Sequence, residues 1–184
     1  MAAFILLSDA IDEKNAIDPR YTCDIDNSSP ELRWRDPPEG TQSFAVIVEA
    51  VAQPNAAVAM VDSRERPVPI APTGFAHWLV YNIPASVLHL PAGIPPQDVL
   101  PNGIRQGLNS LGKLGHTGPC PPRSQPARTY AYRVFALSIT LELSSRLTQE
   151  KLWEQIQPHI LAEAEIRGHY RRLPAAMVER DRAG

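Results

Sequence analysis

The chain has 184 residues, 43% of them hydrophobic and 21% charged, which is enough to bury one core and too little to expect two. Its 18 basic and 20 acidic side chains leave a formal charge of −2 and are spread along the sequence, so no basic stripe is offered to nucleic acid or to an anionic membrane surface. The apolar start from Ala2 to Leu7 runs straight into Ser8, Asp9, Asp12 and Glu13 without the flanks of a signal peptide, and no other run approaches the roughly 20 apolar residues of a membrane span; the expectation is a soluble, cytoplasmic protein.

In chain order, β-branched and aromatic residues cluster between turn signals at Phe4 to Leu7, Ser43 to Val51, His77 to Asn82 and Tyr130 to Ile139, which predicts strands. In the second of these, Phe44, Val46 and Val48 share one face while Ala45, Ile47 and Glu49 share the other, and a strand apolar on both faces belongs in the middle of a sheet. Asp36 to Gly40 reads as the turn before it, with proline fixing φ and glycine free to take positive φ. Pro54 to Pro72 and Pro91 to Ala127 lack any sustained period and read as long shaped loops. Thr148 stands as N-cap before apolar residues at helical spacing, Leu152, Trp153, Ile156, Ile160 and Leu161, with Pro158 breaking or kinking that helix. Ala164 to Tyr170 then predicts a short last strand. Arg171 onward is charged and weakly ordered, so the domain is expected over residues 1–172 with 173–184 as a tail.

The two cysteines, Cys23 and Cys120, have none of the short spacings that build zinc sites. They can pair only if the fold brings them together, and intracellular thiols are usually kept reduced, so two free thiols are expected. No metal centre and no cofactor are implied.

The segment Asn27-Ser28-Ser29-Pro30-Glu31-Leu32-Arg33-Trp34, followed by Pro38-Glu39-Gly40-Thr41-Gln42-Ser43-Phe44, resembles the N-x-S-P-x-L-x-W and P-x-G-T-x-S-(F/Y) signature of the phosphatidylethanolamine-binding, or Raf kinase inhibitor-like, family. Gly74 to Ala85, Gly118-Pro119-Cys120-Pro121-Pro122 and Ala164 to Arg171 follow in family order. The resemblance implies a mainly β fold: a two-sheet β-sandwich with long loops, a small pocket at one end and C-terminal helices. It also implies that Cys120 is part of the framework and not a nucleophile.

The resemblance fails selectively in the pocket. Where the family has Asp-Pro-Asp-x-Pro this chain has Ala50-Val51-Ala52-Gln53-Pro54. Where His-Arg-Tyr is expected it has Arg128-Thr129-Tyr130, and where Gly-Tyr is expected it has Gly115-His116. The positions so implied to bind a ligand are Ala50, Ala52, His77, His116, Pro119, Arg128 and Tyr130, of which His77, Tyr130 and Arg128 are the candidates for catalysis. A histidine deprived of carboxylates is held neutral by desolvation, which makes it a poorer phosphate clamp and a better base. Arg128 keeps a permanent charge and a planar fork suited to carboxylate, enolate or phosphate oxygens.

The bland readings stand beside these. His77 without its motif is a packed or hydrogen-bonded histidine, His116 a solvated loop residue, Tyr130 and Tyr81 core aromatics, and Glu49 a carboxylate at the surface end of its strand. His89, His159 and His169 carry no matched motif and read as structural or surface groups. Two functions remain in view. One is a binding protein for a small anionic or amphipathic molecule, with the pocket rewritten for something larger and less polar. The other is a cofactor-independent isomerase or cyclase acting on a hydrophobic metabolite in biosynthesis.

Overall fold

The computed structural model describes residues 3–51, 69–123, 125–142 and 146–173. Its strands are β1 (Ile5–Leu7), β2 (Leu32–Arg35), β3 (Ser43–Ala50), β4 (Phe75–Pro84), β5 (His89–Leu90), β6 (Arg105–Gln106), β7 (Arg128–Leu137) and β8 (Ile160–Tyr170), with a single α-helix, α1 (Gln149–Ile156), among the described residues. They form a three-stranded sheet, β1-β2-β5, and a five-stranded sheet, β6-β4-β3-β7-β8. Every paired strand is antiparallel to its neighbour.

The larger sheet is apolar on both faces, as the composition of Ser43 to Val51 requires. One face packs Phe44, Val46, Val48, Trp78, Val80, Tyr132 and Val134 against Leu6, Leu32, Trp34 and Leu90 of the smaller sheet. The reverse face packs Ala45, Ile47, Leu79, Tyr81, Phe135 and Leu137 against Leu147, Leu152, Trp153 and Ile156. Burying a face of β3 on each side places this strand at the centre of the molecule, where each aliphatic side chain contributes about 1.5 to 3 kcal/mol.

Several boundaries differ from those expected. The helix ends at Ile156, because Pro158 supplies no N–H to continue the hydrogen-bond ladder, and Gln157–His159 forms a tight 3-10 turn. Ile160 and Leu161, whose spacing suggested helix, begin β8 and pair it along β7 as far as Tyr170. Among the described residues the C-terminal helical part is the short α1 and the 3-10 turn that follows it. Thr148 is the N-cap residue, but its side chain makes no capping hydrogen bond. β2 begins inside the Asn27 to Trp34 motif, and β6 lies within the segment read as loop. Ala52 and residues 174–184 of the expected tail lie outside the described residues.

Candidate ligand-binding pocket

Neighbouring strands bring the ends of β3, β4 and β7 together: Ala50 is paired with Phe75 on one side and Tyr130 on the other. The pairing of β3 with β4 then slips, with Val48 opposite Trp78 but Glu49 opposite Ala76. His77 is the extra residue of this β-bulge. In an uninterrupted strand it would face away from Trp78, since successive side chains alternate. The bulge re-aims it, so that its ring lies 4.9 Å from that of Phe75 and 5.2 Å, edge-on, from that of Tyr130. Tyr130 belongs to the inter-sheet core that contains Trp78.

His77 is held from the opposite side by the loop preceding β7. Its Nδ1 donates to the Thr117 carbonyl at 2.6 Å, and the Thr117 N–H donates to the His77 carbonyl at 2.9 Å. This fixes the neutral tautomer with Nε2 unprotonated. Burial pushes the His77 pKa down, with the hydrogen bond to Thr117 opposing.

His116 sits one residue earlier, its ring edge-on to Trp78 at 5.8 Å. Both of its ring nitrogens are inaccessible to solvent and neither has a hydrogen-bond partner. Burial pulls its pKa down to about 4, the Asn27 backbone opposing and His77 adding to the fall. The solvated-loop reading of His116 is thereby replaced by a desolvated one. The Tyr130 phenol is pushed up to about 12, again chiefly by burial and against the nearby Arg128.

The loop carrying His116 is anchored by residues of the motifs that identified it. Asn109 donates to the Gly115 carbonyl at 3.0 Å and accepts from the N–H groups of Leu111 and Lys113 at 3.0 and 3.2 Å. Asn27 accepts from the Gly118 N–H at 2.7 Å, and the Cys23 N–H donates to the buried Pro119 carbonyl at 3.2 Å. At Gly118 a Cβ would lie 2.4 Å from the Tyr21 carbonyl oxygen and 2.7 Å from the Asn27 side chain, so only glycine allows this approach. Cys23 and Cys120 are joined by a disulfide, with Cα atoms 5.4 Å apart and 97 positions between them in sequence. The expectation of two free thiols is corrected: Asn27 and Pro119 dock the two segments and bring the sulfurs within bonding reach.

Arg128 and Tyr130 share a face of β7, two residues apart in an unbroken register. Arg128 is exposed at the strand start and donates to the Gln125 side chain at 2.9 Å. It differs in this from the buried His77 and Tyr130.

Glu49 is the group that sequence reasoning misplaced. It is buried, on the reverse face of the sheet, where it accepts from the Gly74 N–H at 2.7 Å and from the Gln149 side chain at 3.1 Å. Burial raises its pKa, with the Gly74 N–H, Arg133 and Gln149 opposing. Arg133, 4% exposed, reaches Glu49 at 3.6 Å, Glu163 at 3.1 Å and Glu165 at 3.7 Å. Its guanidinium also lies over the rings of Phe135 and Trp153, at 4.9 and 5.9 Å. A cleft of about 430 Å³, lined by Gly74, Ala76, Asn109, Ser110 and Gln149 among others, opens beside this network. The signal was present: Glu49 shares a face with Ala45 and Ile47 and pairs next to Arg133 across β3 and β7. Among the described residues no group of three or more metal-binding side chains converges, and no helix is long and apolar enough to cross a membrane.

Residues 7–171 match the family of the phosphatidylethanolamine-binding protein. The chain belongs to that family. Its relatives include a UPF0098 protein of Aquifex aeolicus, 37% identical over 83% of this chain and 79% of the relative. A UPF0098 protein of Methanothermobacter thermautotrophicus is 34% identical over 91% of this chain and 98% of the relative. Among solved structures, Escherichia coli YbcL, described as a new member of the mammalian PEBP family, superposes with a TM-score of 0.74 at 30% identity, covering 92% of this chain and 99% of that one. Within this PEBP-family fold, Ala50 is paired with Tyr130, whose ring lies edge-on to that of His77.

Proposed function

We propose that this PEBP-family chain binds a small organic ligand, larger and less polar than a phosphate headgroup, in the pocket that His77, His116 and Tyr130 border. The observation that carries the proposal is the pair of desolvated, neutral imidazoles of His77 and His116, and the family resemblance supports it, because it sets carboxylates where the sequence has Ala50 and Ala52. An uncharged imidazole offers hydrogen bonds but little attraction to a dianion. The exposed Arg128 is suited to an anionic or enolisable oxygen at one end of an otherwise apolar molecule.

Titration calorimetry with phosphorylethanolamine tests it. Affinity is expected to be millimolar or absent, about −4 kcal/mol at best, and a micromolar constant would refute the proposal. Ala50→Asp with Ala52→Asp should restore headgroup affinity, and should weaken any apolar ligand found by screening.

A second reading is supported by His77 itself. Its Nε2 is left free as a base by the Thr117 hydrogen bond, with the Tyr130 phenol beside it. In a cofactor-independent isomerase or cyclase, Nε2 would take a proton from the carbon next to a carbonyl. Tyr130 or Arg128 would hydrogen-bond the resulting enolate oxygen until the proton is returned. For a substrate found by metabolite profiling, His77→Ala should lower turnover about 10²-fold or more with the fold retained. Unchanged turnover would remove this reading and leave the binding one.

A further inference from the structure

We propose that the Cys23–Cys120 disulfide is a thiol-exchange site that latches the loop carrying His116, and that a dithiol reductant opens it reversibly without unfolding the sheets. The inference rests on the pocket described above only for the identity of the groups it moves.

The bond lies where a small covalent change reaches the pocket directly. Cys120 follows Pro119, whose carbonyl is bound by the Cys23 N–H, and Gly118, whose N–H is bound by Asn27. Thr117, which holds His77 through hydrogen bonds in both directions, and the desolvated His116 come immediately before. Segment 21–27 thus covers segment 116–120, and the disulfide closes the cover. The remaining ties are a few hydrogen bonds, the docking of Gly118, and the ion pair of Arg123 with Asp24 at 3.2 Å. Neither cysteine lies in a strand or helix, so the two sheets lose no pairing when the bond breaks.

The chemistry has an entry point. Cys120 is exposed while Cys23 is only partly so, and attack by a thiolate needs access to a sulfur. A dithiol attacks the Cys120 sulfur, forming a mixed disulfide and expelling the Cys23 thiolate, which takes up a proton. The second thiol of the reductant then displaces Cys120 as its thiol. Two electrons and two protons pass to the protein, and the dithiol leaves as a cyclic or intramolecular disulfide. The unlatched loop is free to lift, and water reaches the His116 nitrogens that lack partners in the closed form. Desolvation of the imidazole is what depresses its protonation, so the titration of His116 reports the latch.

Histidine-ring NMR, with amide exchange of residues 115–120, makes the test in the absence of any ligand. In the oxidised protein His116 should titrate near 4. With millimolar dithiothreitol its midpoint should rise by about one pH unit or more, and the loop amides should exchange about tenfold faster or more. Circular dichroism should keep the sheet signal, and reoxidation should reverse both changes. The Cys23→Ser, Cys120→Ser double variant should show the open values without reductant. An unchanged His116 midpoint in a fully reduced protein would overturn the proposal. So would a bond that resists dithiothreitol under native conditions, or loss of the whole fold on reduction, since the disulfide would then be a structural staple. Failure to find a ligand would bear on the proposed function and leave this measurement intact.

Discussion

The two faces of the central sheet carry opposite solutions to the burial of polar groups, and strands β3 and β7 contribute to both. On the pocket face, His77, His116 and Tyr130 are desolvated without a charged partner, so each is held in its neutral form. On the reverse face, Arg133 gathers Glu49, Glu163 and Glu165 and satisfies burial with ion pairs. Neighbouring positions separate them: Glu49 from Ala50, Ala76 from His77, Arg133 from Tyr132. Charge can therefore be concentrated behind the sheet while the pocket stays uncharged, because alternation sends adjacent side chains to opposite faces.

The largest effect expected of that contrast is on the ionic face. Arg133→Ala would leave the buried Glu49 carboxylate without its cation and should lower unfolding free energy by about 3 kcal/mol, measured by urea denaturation at neutral pH. A loss below about 1 kcal/mol, the value of an exposed pair, would show that Arg133 is hydrated and that the two faces do not differ in kind.

The pH dependence should have opposite signs on the two faces. His116 has a folded pKa of about 4 against an ordinary 6.5, so the unfolded chain binds more protons between these values. Burial of His116 costs nothing in protonation above 6.5, and stability falls as pH drops from there toward 4, by about 3 kcal/mol in all. His77 shifts in the same direction. Glu49 has its pKa raised from 4.5, so the folded chain binds its proton more readily, and this contribution shrinks as pH rises from 4.5 through the folded value. His116→Phe should flatten the acid limb of a stability–pH curve, whereas Glu49→Gln should steepen it. The same direction for both variants would break the comparison.

A smaller effect follows at neutral pH. The His116 ring buries nitrogens with no hydrogen-bond partner, a burden of about 1 to 3 kcal/mol, so His116→Phe should stabilise the protein by about 1 kcal/mol while weakening whatever the pocket binds. Destabilisation by this variant would mean that the imidazole is satisfied by buried water.

Much of the fold was legible locally. The apolar run from Phe44 to Val48 reads as a central strand because both faces are hydrophobic, and it is one. Asn27 and Gly118 lie in the motifs that carried the resemblance, and together with Pro119, which was expected to bind ligand, they dock two distant loops. Ile160 and Leu161 were misread, since apolar spacing over a few residues fits helix and strand alike, and the pairing with β7 decides between them.

The sequence by itself determined the long strands of the larger sheet and the two-faced core, because these depend on residue type and on a period of two. Tertiary structure decided what no local pattern encodes. The slip between β3 and β4 turns His77 toward Tyr130, and strand pairing places Glu49 beside Arg133. The docking of residues 21–27 on 116–120 strips water from His116 and closes Cys23 on Cys120. Each of these depends on which distant segment lies opposite, a choice made by burying the two faces of the sheet together and not by any residue's own preference.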